Sequence, residues 1–250
     1  MPRTRLHIAG TYSAESVLEL DRDKARYLSR VLRLQVGDSL LVFDGEGNEY
    51  AATISGISRS SATLRVGHKT VAQTESRLRV HLVQGISRGE RMDFVVQKAT
   101  ELGVKRITPV LTDYGVVKLD AMRAEKRRDH WQKVAASACE QSGRLRLPLI
   151  DRPVSLKSWL GSKPGRVDTQ LILKPGAATP LARIDAPKTK VCVLIGPEGG
   201  LSDVEYEDVE IAGFEPVSLG PRILRTETAA VAALAILQSR WGDLGESEPG

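Results

Sequence analysis

The chain has 250 residues and a formal net charge of +5, with 41% apolar and 27% charged side chains, the balance of an ordinary folded protein of one large domain or two smaller ones. No apolar run is long enough to span a membrane and Met1-Pro2-Arg3-Thr4-Arg5 leads into no signal-peptide core, so a cytoplasmic protein is expected. Two cysteines, Cys139 and Cys192, and four scattered histidines give no metal-ligand spacing; the thiols read as free and buried, and no catalytic metal is expected.

From Leu6 to about Val66 short strands alternate with turns, "SLLVFDGEGNEYAATISGI" pivoting on Asp44-Gly45-Glu46-Gly47 and followed by "SATLRV". This pattern predicts a small β-barrel. The Gly45-x-Gly47 pair is a hairpin turn, since no third glycine or following helix completes a nucleotide fingerprint. Within this region "RYLSRVLRLQVGD" spaces Arg26, Arg30 and Arg33 by four and three, on one face of a short helix that is either solvated or set against nucleic acid.

The polar stretch His68–Ser76 reads as a linker, after which strands alternate with longer helices. "LRVHLVQG" is a strand, and "RGERMDFVVQKATELG" is an amphipathic helix with Met92, Val95, Val96, Ala99 and Leu102 on one side and Gly103 as its stop. "KRITPVLT" is the next strand, and a long basic helix runs from about Asp120 to Gln141. "TQLILKPG", "KVCVLIGPEGG" and "FEPVSLGPR" are three more strands, each entering a Gly or Pro turn. Val191–Ile195 has the character of a strand buried on both faces. Ser202 followed by Glu205 is a capping box, which starts a helix after the loop Gly196–Gly200. "TETAAVAALAILQSRW" is the last helix, and the tail beyond it is expected to be disordered.

Charge divides along the chain. Residues 77–166 hold 19 Lys and Arg against 9 Asp and Glu, whereas residues 167–250 hold 7 against 13. A basic block of this size suggests a polyanion partner, most simply RNA or DNA. The three strand ends near 173–176, 196–200 and 219–222 converge on one pocket if the sheet is parallel. Such a pocket has almost no reactive side chains and suits a cofactor held by backbone and apolar contacts. No phosphate loop GxxxxGK[ST] occurs.

"RYLSRVLRLQVGD", "RMDFVVQKATELGV", "EKRRDHWQKVAASACEQSGR", "LIGPEGGLSDVE" and "LGPRILRTETA" together resemble the uridine-N3 methyltransferases that act on 16S rRNA, of the SPOUT class. The resemblance covers nearly the whole chain, and GPEGG followed by LGPRILRTETA is its most specific part. It implies an α/β protein: a PUA-like β-barrel RNA-binding domain over 1–70, a SPOUT domain with a trefoil knot over 77–242, and a tail at 243–250. It further implies S-adenosylmethionine as cofactor, a homodimer, and the 16S rRNA of assembled small ribosomal subunits as substrate, with no membrane and no metal.

Carried over residue by residue, the cofactor contacts are Leu173, Lys174, Gly196, Pro197, Glu198, Gly199, Gly200, Leu219, Gly220, Arg222, Ile223, Leu224 and Arg225. The adenine falls among the backbone groups of Leu219, Ile223 and Leu224. For Glu198 two roles stay open, near the methionine end or as a cap on the loop. Arg225 is the first candidate for stabilising a uridine anion and Arg144 the second, each with a phosphate contact or a structural ion pair as its alternative. Glu227 is either a base or a carboxylate favoured by the helix dipole, and the helix role is preferred. Arg30, Arg33, Arg88, Arg91, Lys98 and Arg144 are expected to contact RNA. The rival readings are a methyltransferase acting on a ribose 2′-hydroxyl or another base, and an RNA-binding protein that has lost catalysis.

Overall fold

A computed structural model describes residues 4–117, 119–162, 168–185 and 189–245. The chain forms two compact units, Met1–Glu75 with Cys139–Leu147, and Ser76–Ala138 with Pro148–Gly250. Residues 246–250 of the expected disordered tail lie outside the described residues.

The first unit is built on β1 (Arg5–His7), β2 (Val17–Leu20), β3 (Ser39–Phe43), β4 (Glu49–Ile57) and β5 (Ala62–Lys69). They form one sheet in the order β1-β3-β4-β5-β2, with β1 parallel to β3 and the other pairs antiparallel. Strand alternation puts Leu40 and Val42, Ala52 and Ile54, and Ala62 and Leu64 on the buried side. The predicted barrel is instead a curled half-barrel, because β1 and β2 end the strand order without pairing with each other.

The arginine-bearing helix also departs from expectation. Helix α1 (Arg22–Arg26) is capped by the Asp21 carboxylate, which accepts from Lys24 N–H at 2.9 Å, and then widens into one π turn over Tyr27–Val31. Leu34 N–H closes onto Leu28 C=O at 2.9 Å, with Arg33 left-handed at φ 57, the geometry of a helix C-terminal cap more often given to glycine. Arg26, Arg30 and Arg33 are all exposed, but Arg33 lies past the end of the π turn in a left-handed conformation and so leaves the helix that carries the other two.

The segment 139–147 was expected to belong with the second domain and packs with the first. Arg5 explains why. Its guanidinium donates to Glu49 Oε1 at 2.7 Å, Cys139 C=O at 2.6 Å and Arg144 C=O at 3.1 Å, tying β1 to this segment. Phe43, Cys139 and Leu145 share a small apolar cluster. Arg144 itself is 3% exposed, with Nη2 3.0 Å and Nε 3.3 Å from the two oxygens of Glu75. A guanidinium so buried and neutralised has no face left for a phosphate or a substrate, so Arg144 is a structural ion-pair residue of this unit.

The second unit holds β6 (Arg79–Gly85), β7 (Arg106–Leu111), β8 (Leu149–Ile150), β9 (Val154–Ser155), β10 (Thr169–Leu173), β11 (Lys190–Ile195) and β12 (Glu215–Val217). The sheet order is β12-β10-β11-β6-β7-β8, with β9 also on β7, and every pair is parallel. The helices are α2 (Arg91–Glu101), α3 (Ala121–Ser142), α4 (Leu156–Gly161), α5 (Asp203–Ile211) and α6 (Thr226–Trp241). Along β11, Val191, Val193 and Ile195 join one apolar cluster with residues of α2 and α6. Cys192 and Leu194 join another with residues of α4 and α5. This two-sided burial is why the strand reads as an unbroken apolar run. Burial also raises the thiols, Cys192 to about 12 and Cys139 to about 11. The short β8, β9 and α4 went unread because elements of two to six residues carry too little periodicity.

Removing Arg144 strands the Glu75 carboxylate. Arg144→Ala is expected to lower stability by about 3 kcal/mol in denaturant unfolding; an unchanged midpoint accompanied by lost activity would return Arg144 to the reaction.

Candidate cofactor pocket

Because β10, β11 and β12 run parallel, their carboxyl ends reach the same edge of the sheet. There the three segments 173–175, 195–200 and 217–225 line one pocket of about 450 Å³, with the start of α6 completing it. The strand order changes direction between β6 and β11, and parallel sheets take ligands at such switch points.

Glycines let the segments approach. A Cβ on Gly85, at the end of β6, would overlap Pro197 N and Cδ, and one on Gly199 would stand 2.9 Å from Tyr114 C=O. Gly200 is left-handed at φ 73 and donates its N–H to Pro197 C=O at 2.9 Å, closing a tight turn. Helix α5 follows at once. Ser202 Oγ accepts from Glu205 N–H at 3.2 Å while Glu205 Oε2 accepts from Ser202 N–H at 3.0 Å, the reciprocal cap that the sequence announced.

A buried relay holds the returning chain against this loop. Thr226 Oγ1 donates to Gly196 C=O at 2.7 Å and therefore accepts from Gln84 Nε2 at 2.9 Å, since a hydroxyl carries one proton. Gln84 Nε2 also donates to Gly85 C=O at 3.1 Å, and Gln84 is fully buried. Strand β6, the glycine loop and the first residue of α6 are thus fixed to one another where the pocket closes. Arg225, the residue before α6, is extended at φ −63, ψ 150 and exposed.

The charges sort into tied and untied groups. Glu198 Oε1 accepts from Arg91 Nη1 at 2.6 Å and from Arg88 N–H at 3.2 Å. Partial burial works against its charge, but hydrogen bonds from its own backbone, Arg91 and Arg88 outweigh this and hold the carboxyl below the usual glutamate range. Lys174 Nζ lies 2.8 Å from Glu210 Oε1 and 4.8 Å above the Tyr206 ring. Among the described residues Arg222 and Arg225 pair with no carboxylate, and both line the pocket. Glu227 stands apart from the lining, with Oε1 3.9 Å from Arg91 Nε and Oε2 buried without a hydrogen-bond partner. No group of His, Cys, Asp or Glu that could hold a metal occurs among the described residues.

All of the cofactor contacts expected from the sequence line this pocket except Gly199, whose backbone meets Tyr114 instead. Arg91, expected to contact RNA, lines it too and is bound to Glu198. Arg88 is exposed and Lys98 pairs with Glu101 at 2.8 Å; Arg30, Arg33 and Arg144 belong to the first unit. Tyr206, Thr226 and Gly85 were missed as parts of the site. For Gly85 the available signal was the polar-glycine step Gln84-Gly85 that ends β6 after the apolar pair Leu82-Val83.

A sequence model of the RNA methyltransferase domain matches residues 74–238, and one of the RNA methyltransferase PUA domain matches residues 20–67. A Buchnera aphidicola protein named ribosomal RNA small subunit methyltransferase E is 34% identical over 240 residues, 96% of this chain and 97% of that one. A Legionella pneumophila protein solved with its bound cofactor SAM superposes with a TM-score of 0.93 at 37% identity, over 98% of this chain and 100% of that one. The ribosomal RNA small subunit methyltransferase E of Neisseria gonorrhoeae, solved bound to S-adenosyl methionine, gives a TM-score of 0.89 at 36% identity, over 96% and 99%.

Thr226→Val is expected to leave two buried polar groups unpaired and lower stability by roughly 2–4 kcal/mol, whereas Thr226→Ser stays near the parent. Thermal unfolding of the pair checks this, and equal losses in both would contradict the relay.

Proposed function

Since the chain belongs to the RNA methyltransferase family, we propose that it transfers the methyl group of S-adenosylmethionine to N3 of one uridine in the 16S rRNA of the small ribosomal subunit. The observation that carries this reading is the pocket itself, three backbone loops converging on a largely apolar space with no Cys, Ser or His in its lining and no metal cluster among the described residues. Such a pocket fits a cofactor that brings its own reactivity, and two relatives that match nearly the full chain are solved with this cofactor bound.

Backbone groups of Leu219, Ile223 and Leu224 would hold the adenine, while Gly196 and Gly200 leave room for close approach. When bound, S-adenosylmethionine supplies an electrophilic methyl on a positive sulfur. The chain's own task is to orient the uridine and favour the form of N3 that has lost its proton. Arg225 is suited to this, being exposed, pocket-lining and free of any carboxylate partner among the described residues. Arg222 offers a second cation at the same opening.

The same reading makes the chain path at the pocket a trefoil knot. Strand β12 pairs with β10, yet the chain then returns to begin α6 against Gly196 and Gln84. It also makes the protein a cytoplasmic homodimer, for which the half-buried Val231, Ala232 and Ala235 of α6 offer a small-residue face. The first unit, with Arg30 and Arg33 exposed, binds RNA.

Incubation with labelled S-adenosylmethionine and under-methylated small subunits, followed by nucleoside analysis, is expected to place the label in N3-methyluridine. Label in a ribose 2′-O-methyl or another base would reassign the acceptor. Arg225→Ala is expected to slow single-turnover methylation about a hundredfold and to weaken cofactor binding far less; an unchanged rate would remove Arg225 from the chemistry.

A further inference from the structure

Of the arginines and lysines first expected to meet RNA in the basic middle of the chain, Arg88 alone is both exposed and without a carboxylate partner for its guanidinium among the described residues. Arg91 is held by Glu198, Lys98 by Glu101, and Arg144 is buried against Glu75. Helix α3 holds five Lys and Arg against three Asp and Glu. Its inner side is anchored by Trp131, fully buried, whose Nε1 donates to Asp93 Oδ1 on α2 at 3.0 Å, with Ala124, Ala135 and Ala138 also buried.

Outside this buried stripe the helix carries Lys126, Arg127, His130 and Lys133, all exposed. Positions 126, 130 and 133 follow the four-then-three spacing that stacks side chains on one helix face, and Arg127 stands beside them. The other arginines of the helix are spoken for: Arg123 lies 3.4 Å from Asp120, and Arg128 lies 2.6 Å from Glu125 and 2.9 Å from Asp129. His130 is bound to Asp93 at 2.7 Å. Lys126, Arg127 and Lys133 pair with no carboxylate among the described residues. Three untied cations on a rigid two-turn patch repel one another unless an anion is brought to them.

We propose that this face of α3 is a docking surface for the phosphate backbone of the RNA substrate, holding the RNA in register without reading its sequence. The proposal rests on the RNA-modifying reading above. RNA fits better than a lipid surface, because Met122 is the one large apolar side chain that α3 exposes among the described residues, too little for insertion. It fits better than an acidic protein because the family's substrate is itself a polyanion.

The test is the triple reversal Lys126→Glu, Arg127→Glu and Lys133→Glu in the full chain, compared with the charge-matched reversal of three exposed residues elsewhere, Arg79→Glu, Arg183→Glu and Lys190→Glu. Binding to under-methylated small subunits is followed across salt concentrations, with S-adenosylmethionine affinity as the check that the fold is intact. The α3 variant is expected to bind at least about tenfold more weakly with a salt slope smaller by about two to three, as three lost phosphate contacts require, while cofactor affinity is kept. Equal subunit binding by the α3 variant and the parent overturns the proposal, as does an equal loss in the charge-matched control. Failure of the parent protein itself to bind subunits overturns the RNA-modifying reading instead. Footprinting of the parent with an amine-reactive reagent needs no mutation: Lys126 and Lys133 are expected to be protected by subunits, and unchanged reactivity at both contradicts the surface.

Discussion

Everything at the pocket hangs on a single buried hydroxyl. Thr226 hands its proton to Gly196 C=O and receives one from Gln84, so three stretches far apart in sequence become one rigid corner. In a site out of reach of water each of these groups is costly to leave unpaired. The relay therefore fixes where α6 begins, and with it where the segment carrying Leu219 to Arg225 must lie.

The rest of the site follows from the parallel sheet. Strand ends that share an edge present backbone, and glycines at 85, 199 and 200 remove the side chains or the strain that would keep those backbones apart. What remains is a space with an apolar interior and charge at its opening, where Glu198 is spent on Arg91 and Arg88 while Arg222 and Arg225 stay unneutralised. This division suits a cationic cofactor within and an anionic substrate outside, and it explains why so few side chains suffice.

Much of this was readable in the residues. Two-sided burial marked β11, a reciprocal Ser202 and Glu205 cap marked α5, and the apolar stripe of Met92 to Ala99 marked α2. Each of these signals is local. Beyond the elements too short to read, the misreadings concerned closure, local helix geometry and partners distant in sequence. A half-barrel and a barrel alternate alike, so closure was misjudged. Arg26, Arg30 and Arg33 have helical spacing, but nothing in the spacing reveals a π turn with a left-handed exit at Arg33. For Arg144 the ion pair was only an alternative, because Glu75, 69 positions away, is not a sequence neighbour. For the same reason α3 was read as one helix of one domain, although its last turn packs with the first unit.

Segments 173–175, 195–200 and 217–225, with the start of α6, are proposed to act as one cofactor site. Amide hydrogen exchange with and without S-adenosylmethionine tests this most directly. Added cofactor is expected to slow exchange in all three segments together and at Thr226, with the half-barrel of the first unit unaffected. Protection confined to one segment, or concentrated outside them, would contradict it.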